Sequence, residues 1–275
     1  MIISASRRTD IPAFYSTWFM DRIREGKVLV KNPFNPSQAK LVSLHSKDVE
    51  AIVFWTRNAN PLLSHLEELD QRGFKYIFLY TITGYGSPLE KHVPSLTSAI
   101  ETFRALSREI GPERLIWRFD PIIYLSGKGE EWITSLFEKI AQSLRNETKR
   151  VIISFLDFYP KVMRRLATLE EITGIKAVDI INSEDVVRRI ATTLSALARK
   201  NNLEICSCAE KVNLEDFGIK PGKCIDGDCL NQIFGLHIKV EKDKSQRPQC
   251  RCTTSQDIGA YNTCRHGCWY CYAIS

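Results

Sequence analysis

Six short runs rich in β-branched and aromatic residues recur along the chain, centred on IISAS, AIVFW, YIFLYT, LIWRF, VIISF and LEICS. Each is too short for a buried helix and too continuously apolar for a strand with one wet face. Strands of a parallel sheet, covered on both faces, read this way. Between them lie stretches of helical periodicity with recognisable ends. Asn60 and Pro61 open one that Gly73 closes, another runs from Pro94 to Ile110 ahead of Gly111 and Pro112, and Ser183 stands where it would cap a run to Lys200. The pattern is a βα unit repeated about six times. One insertion, KVLVKNPFNPSQAKLVSL, has two β-prone stretches around an Asn-Pro-Phe-Asn-Pro turn and reads as a hairpin over one edge of the sheet.

Right-handed βα repeats close as a barrel or open as a doubly wound sheet. No Gly-rich phosphate loop is present, which favours a partial (βα)6 TIM-like barrel of parallel strands. From Asp216 onward Gly, Pro, Asp and Cys dominate and the periodicity fades. The expected division is a partial βα barrel over residues 1–210 and a cysteine-rich, loop-rich tail over 211–275, ordered by metal and folded over the barrel mouth.

In either closure ligands gather at the carboxyl ends of the strands. Those ends read Arg7-Arg8-Thr9-Asp10, Thr56-Arg57-Asn58, Thr83-Gly84-Tyr85-Gly86, Arg118-Phe119-Asp120, Asp157-Phe158-Tyr159 and Cys208-Ala209-Glu210. Any one of these groups reads equally well as a helix cap or a surface ion-pair partner. Six such ends together exceed what a purely structural rim requires.

Composition narrows the class. The 275 residues, 44% hydrophobic and 25% charged, are those of an ordinary globular chain, and no apolar run approaches the roughly 20 residues that cross a bilayer. The opening residues lack the basic-then-apolar order of a secretory signal, so a soluble cytoplasmic protein without membrane contact is expected. The net charge of +6 is spread along the chain; it permits a nucleic-acid partner and does not argue for one. All nine cysteines lie at or after Cys206. A disulfide scaffold would not leave the larger part of the chain unstapled, so the clustered thiols point to metal ligation.

The last dozen residues carry Cys264, Cys268 and Cys271 at C-x3-C-x2-C spacing. Three thiolates on so tight a loop can wrap three corners of a cubane 4Fe-4S cluster and leave the fourth iron open to a substrate or cofactor. Zinc held by the same cysteines and His266 is the competing reading, with all four ligands cramped into one short loop. Of the other thiols, Cys208, Cys224, Cys250 and Cys252 are the candidates for a second, auxiliary cluster. A structural zinc or unligated cysteines are the alternatives for this set, with Cys206 and Cys229 spare. In a strand ending ICSC, Cys206 and Cys208 point the same way, so either one could ligate.

The segment CRHGCWYCY resembles the signature of the radical S-adenosylmethionine enzymes, and their six-unit partial barrel agrees with the repeat count. More closely, the chain resembles an uncharacterised prokaryotic family, a domain of unknown function, that opens with SASRRTDIPAFY and closes with CRCTTSQDIGAYNTCRHGCWYCYA. The first resemblance implies a 4Fe-4S cluster on Cys264, Cys268 and Cys271 that binds S-adenosylmethionine and generates a 5'-deoxyadenosyl radical to act on an unidentified substrate. It also implies an electron donor such as ferredoxin or flavodoxin. In those enzymes the cysteine loop follows the first strand, where this chain has Arg7-Arg8-Thr9-Asp10, and a Gly-Gly-Glu follows the second, where it has Thr56-Arg57-Asn58. Arg57 and Asn58 stand in for that motif. Arg118 is the candidate for the cofactor's carboxylate and Asp120 for its ribose, since guanidinium grips carboxylates and Asp accepts from sugar hydroxyls. Two other classes stay open: a nucleic-acid-binding protein with structural iron-sulfur or zinc sites, and a metal-dependent hydrolase or isomerase built on Asp10, Asp120, Asp157 and Glu210.

Overall fold

The computed structural model describes residues 1–33, 35 and 37–275. Each predicted apolar run is a strand: β1 (Ile2–Ala5), then, after the hairpin β2 (Lys27–Lys31) and β3 (Ala39–Ser43), β4 (Ala51–Thr56) and β5 (Tyr76–Thr81). Next come β6 (Leu115–Ile122), the short β7 (Tyr124–Leu125), β8 (Arg150–Phe155), the short β9 (Ala177–Val178) and β10 (Glu204–Ser207). Two-residue strands β11 (Lys220–Pro221) and β12 (Gln256–Asp257) complete the set. The eight-stranded sheet has the order β11-β10-β8-β6-β5-β4-β1-β12 and every pairing in it is parallel. Its six long members lie in chain order with no switch point, which rules out the doubly wound alternative. The sheet is open, with β11 and β12 at its two edges.

The strands read as uninterrupted apolar runs because both faces are covered. Alternate residues Ile3, Phe54, Phe78, Trp117 and Ile153 join one core, while Ile2, Val53, Leu79, Ile116 and Ile152 join another. The first core is closed by helices: α1 (Ile11–Phe14), α2 (Ser16–Glu25), α3 (Asn60–Leu63), α4 (Leu66–Gln71), α5 (Leu96–Ile110), α6 (Gly129–Ser143) and, beyond α7 (Pro160–Thr173), α8 (Glu184–Lys200). The second is closed by the tail, through Ile225, Leu230, Ile238 and Cys224, Cys250 and Cys252 around α9 (Gly227–Phe234). Residues 211–275 therefore supply both edge strands and one whole layer of the molecule.

The predicted helix over 60–73 is split into α3 and α4, and Gly73 ends the second with φ +79°, a backbone region glycine enters at no steric cost. Ser95 caps α5 by accepting from Ser98 N. Ser183 occupies the predicted cap position of α8 but makes no side-chain cap hydrogen bond. The hairpin is a separate two-stranded sheet pairing Val28 with Val42 and Leu29 with Leu41; Phe34 and Pro36 of its predicted turn lie outside the described residues. Among the described residues no helix is long and apolar enough to cross a membrane.

Candidate functional site

The tail returns the terminal cysteine loop to the carboxyl ends of β1, β4 and β5. Asp10, just after β1, is the hinge of this arrangement. Its Oδ1 accepts from Ala13 N at 2.9 Å to cap α1, and its Oδ2 accepts from Arg57 N at 2.7 Å and faces His266 Nε2 at 2.8 Å. The other ring nitrogen of His266, Nδ1, faces the His92 carbonyl at 3.3 Å. Both nitrogens point at acceptors, and the side chain is 2% exposed. His266 is thereby engaged on both sides as an anchor of the loop, with the donor and acceptor roles of its two nitrogens set by its tautomer.

Arg57, after β4, holds the same loop from below. Its Nη1 pairs with Glu90 at 2.8 Å, and its Nη2 donates to the Tyr270 hydroxyl at 2.6 Å. Thr83, after β5, donates to the same Glu90 carboxylate at 2.5 Å, and so does Tyr270. Glu90 is 4% exposed, and a buried carboxylate is tolerated only when paired and hydrogen-bonded, as here. Backbone pairing closes the join: Glu90 bridges Cys268, Trp269 N donates to the Leu89 carbonyl, and His92 N donates to the His266 carbonyl. On the far side Arg165 of α7 donates to the carbonyls of Cys268 at 2.9 Å and Cys271 at 3.1 Å. Tyr15 OH donates to the Thr263 carbonyl and Tyr272 OH to that of Arg7. Trp269 packs beneath the Arg165 guanidinium, 6.0 Å from its ring centre.

Held this way, Cys268 is buried and Cys264 and Cys271 are half-buried. Burial pushes the Cys264 thiol up to about 11 and that of Cys268 up to about 12, with the Arg57 cation drawing the second back down in part. Neutral-pH thiols of this kind become ligands when a soft cation displaces their protons. Beside the loop lies a cleft of about 350 Å³, lined by Arg57, Thr83, Gly84, Glu90 and Leu96, at the low end of small-molecule sites.

The other predicted site residues fall into two groups. Asn58 is local: its Oδ1 accepts from Asn60 N at 3.1 Å, and its own N–H donates to Thr56 Oγ1. Arg118 and Asp120 pair with each other, Ser154 donates to Asp120 at 2.7 Å, and the Arg118 guanidinium lies 4.8 Å from the centre of the Trp55 ring. Arg118 Nε is buried with no hydrogen-bond partner among the described residues. Asp157 is paired to Arg247. Glu210 accepts from Phe155 N at 2.7 Å, and burial pushes its carboxyl up to about 7.

Cys208, Cys224, Cys250 and Cys252 meet on the tail-covered face, where Cys224 donates to Cys208 at 3.2 Å between sulfurs. Cys252 lies beside Cys224, Cys250 and Arg7, whose proximity lowers its thiol, while Cys224 and Cys250 are driven up. Cys206 is outside this group: its thiol faces the Val151 carbonyl and burial pushes it up to about 12. Among the described residues no three histidine, cysteine or acidic side chains converge into a preformed ion cage.

Glu90, Arg165, His92 and Tyr272 escape a reading of the sequence, since none follows a strand or belongs to a metal-spacing pattern. Tyr270 carries a signal, as the aromatic preceding the third cysteine.

An open parallel α/β sheet whose carboxyl edge clasps a cysteine loop defines the class of protein. Residues 2–273 match the family described as a domain of unknown function, DUF1848, and the chain belongs to it. No curated protein matches the chain.

Proposed function

We propose that the protein is an iron-sulfur enzyme of the radical S-adenosylmethionine type, with Cys264, Cys268 and Cys271 as the ligands of a 4Fe-4S cluster open at one iron. The observation that carries the reading is the place of the loop: three thiols at the carboxyl tips of β1, β4 and β5, with His266 engaged by Asp10 and by the His92 carbonyl. The six long parallel strands in chain order, five of them followed by a helix on the first core, support a partial-barrel description of the sheet. When bound and reduced, such a cluster supplies the electron that cleaves S-adenosylmethionine to a 5'-deoxyadenosyl radical.

The chain's own residues supply position, charge and exclusion of water. Arg57 places a buried cation next to Cys268 and Cys271. Arg165 clamps the two carbonyls that set the curl of the loop. Arg57 is so fully engaged by Glu90 and Tyr270 that its part in cofactor binding is to shape the wall. Arg118, with one unpartnered N–H, is the better placed cation for a carboxylate. The substrate, and an electron donor of the ferredoxin or flavodoxin kind, complete the proposal.

The test is anaerobic purification followed by iron and sulfide analysis, then dithionite with S-adenosylmethionine and assay of 5'-deoxyadenosine. Wild type and His266→Ala are expected to bind iron at the terminal loop, and Cys268→Ser to lose both that iron and the product. If His266→Ala loses metal as completely as Cys268→Ser, or zinc fills the loop, the reading fails.

A further inference from the structure

We infer that Cys208, Cys224, Cys250 and Cys252 form a second metal site that holds one tetrahedral divalent ion of the zinc class, and that this ion staples the tail to the sheet.

The four thiols come from three segments: the residue after β10, the loop before α9 and the loop before β12. A lone buried cysteine behaves as a small apolar residue and needs no explanation. Four that converge from three segments do. Cys224 touches Cys208 at 3.2 Å, and Cys250 and Cys252 belong to the same buried cluster. These are the four sulfurs of the proposed ring. Ile225 N donates to Cys252 Sγ at 3.4 Å, an N–H···S bond of the kind that supports a thiolate ligand. Two largely buried guanidiniums flank the ring, Arg7 beside Cys252 and Arg118 beside Cys208 and Cys224. Four thiolates and a divalent ion leave a charge of minus two, which Arg7 offsets in part, Arg118 being paired with Asp120.

Charge alone does not choose between one ion and a cubane, because a four-cysteine 4Fe-4S site carries the same minus two in its oxidised form. Separation chooses. Zinc-sulfur bonds of about 2.3 Å in a tetrahedron place the sulfurs about 3.8 Å apart. The Cys224–Cys208 pair, at 3.2 Å, needs only a small expansion to reach that spacing. At the corners of a cubane each thiolate is separated from the next by two irons, far beyond contact. The terminal loop behaves in that second way: Cys264, Cys268 and Cys271 feel one another's charge, yet no thiol-thiol hydrogen bond joins them among the described residues.

Cys224 and Cys208 are drawn together by an S–H···S contact, as cysteines that still carry thiol protons are. A divalent ion replaces those protons, up to four of which pass to solvent, and becomes the common centre. The segments it would tie are those that carry the second core, the residues 224–230 and 250–252 against Ile116 and Ile152.

The test uses the full chain with Cys264, Cys268 and Cys271 all replaced by Ser, so that the terminal loop is silent whatever its chemistry. Metal and acid-labile sulfide are measured together. We expect one zinc per chain, no sulfide, and replacement by cobalt giving intense thiolate-to-cobalt and tetrahedral visible bands. Adding Cys208→Ser, the half-buried member of the ring, is expected to lower metal content at least tenfold and to lower the melting temperature. As a check that needs no variant to fold, cobalt-grown wild-type chain must show the same visible bands. Four irons with four sulfides in the triple variant, or a metal-free ring in the wild-type chain, would overturn the inference.

Discussion

Asp10 and Arg57 show how single side chains decide what the rim can hold. Each comes from a strand tip of the first half of the sheet, and each is fully occupied by the last residues of the chain. Arg57 pairs with Glu90, whose side chain is 2% exposed, so removing the cation leaves a buried charge unpartnered. Arg57→Gln is expected to destabilise the fold by about 3–5 kcal/mol, and Arg57→Met with Glu90→Gln to recover most of that, because an uncharged pair of similar volume has no desolvated charge. Denaturant unfolding of Arg57→Gln and of the double variant measures it; a loss below about 1 kcal/mol in Arg57→Gln would show that the pair is wet. The polar tips of the strands were legible as a candidate site, since charge after every strand is a visible pattern. Which tip meets which cysteine was not. Glu90 follows no strand and fits no spacing rule, and it matters only because Arg57, Thr83 and Tyr270 surround it in space.

Among the elements, the six long strands announce themselves because two cores flank them, so their apolar runs are unbroken. Strand β6 runs past the apolar run that marks it, through Asp120 and Pro121 to Ile122, where register shifts against β8 and polarity obscure it. Strands β11 and β12 are two residues each, made by tertiary pairing rather than by propensity, and leave no trace in the sequence. Contacts between helices carry their own prediction. Glu68 of α4 receives Arg24 of α2 at 2.6 Å and Arg72 at 2.8 Å, which lowers its carboxyl from 4.5 to about 2. A depressed carboxylate contributes stability that is present above the unfolded value and lost as pH falls from 4.5 through about 2. The site is exposed and screened, so Glu68→Gln is expected to cost less than about 1 kcal/mol at neutral pH and low salt. Thermal midpoints of the two proteins should converge in strong salt and below that pH window; a difference that survives both would refute the ion-pair account.

At the scale of the whole molecule, the tail is a layer of the fold. Cysteine clustering and the loss of periodicity marked residues 211–275 as distinct, but their packing on the sheet depends on Ile225, Leu230 and Ile238, three apolar residues too scattered to form a readable stripe. Deleting 211–275 would lay bare Ile2, Val53, Ile77, Leu79, Ile116 and Ile152 in one patch and free both edges of the sheet. Such a patch and such edges are aggregation sites, so the truncated chain is expected to elute as oligomers and to bind a hydrophobic dye. A monodisperse truncated chain with unaltered secondary structure would show that the tail is an ornament. The bond between Asp10 and His266 spans 256 positions of sequence. A ribosome must therefore have made residue 266, and let it emerge, before the loop after the first strand finds its partner. Until then the cradle gapes, so whatever it is loaded with must arrive later than that moment.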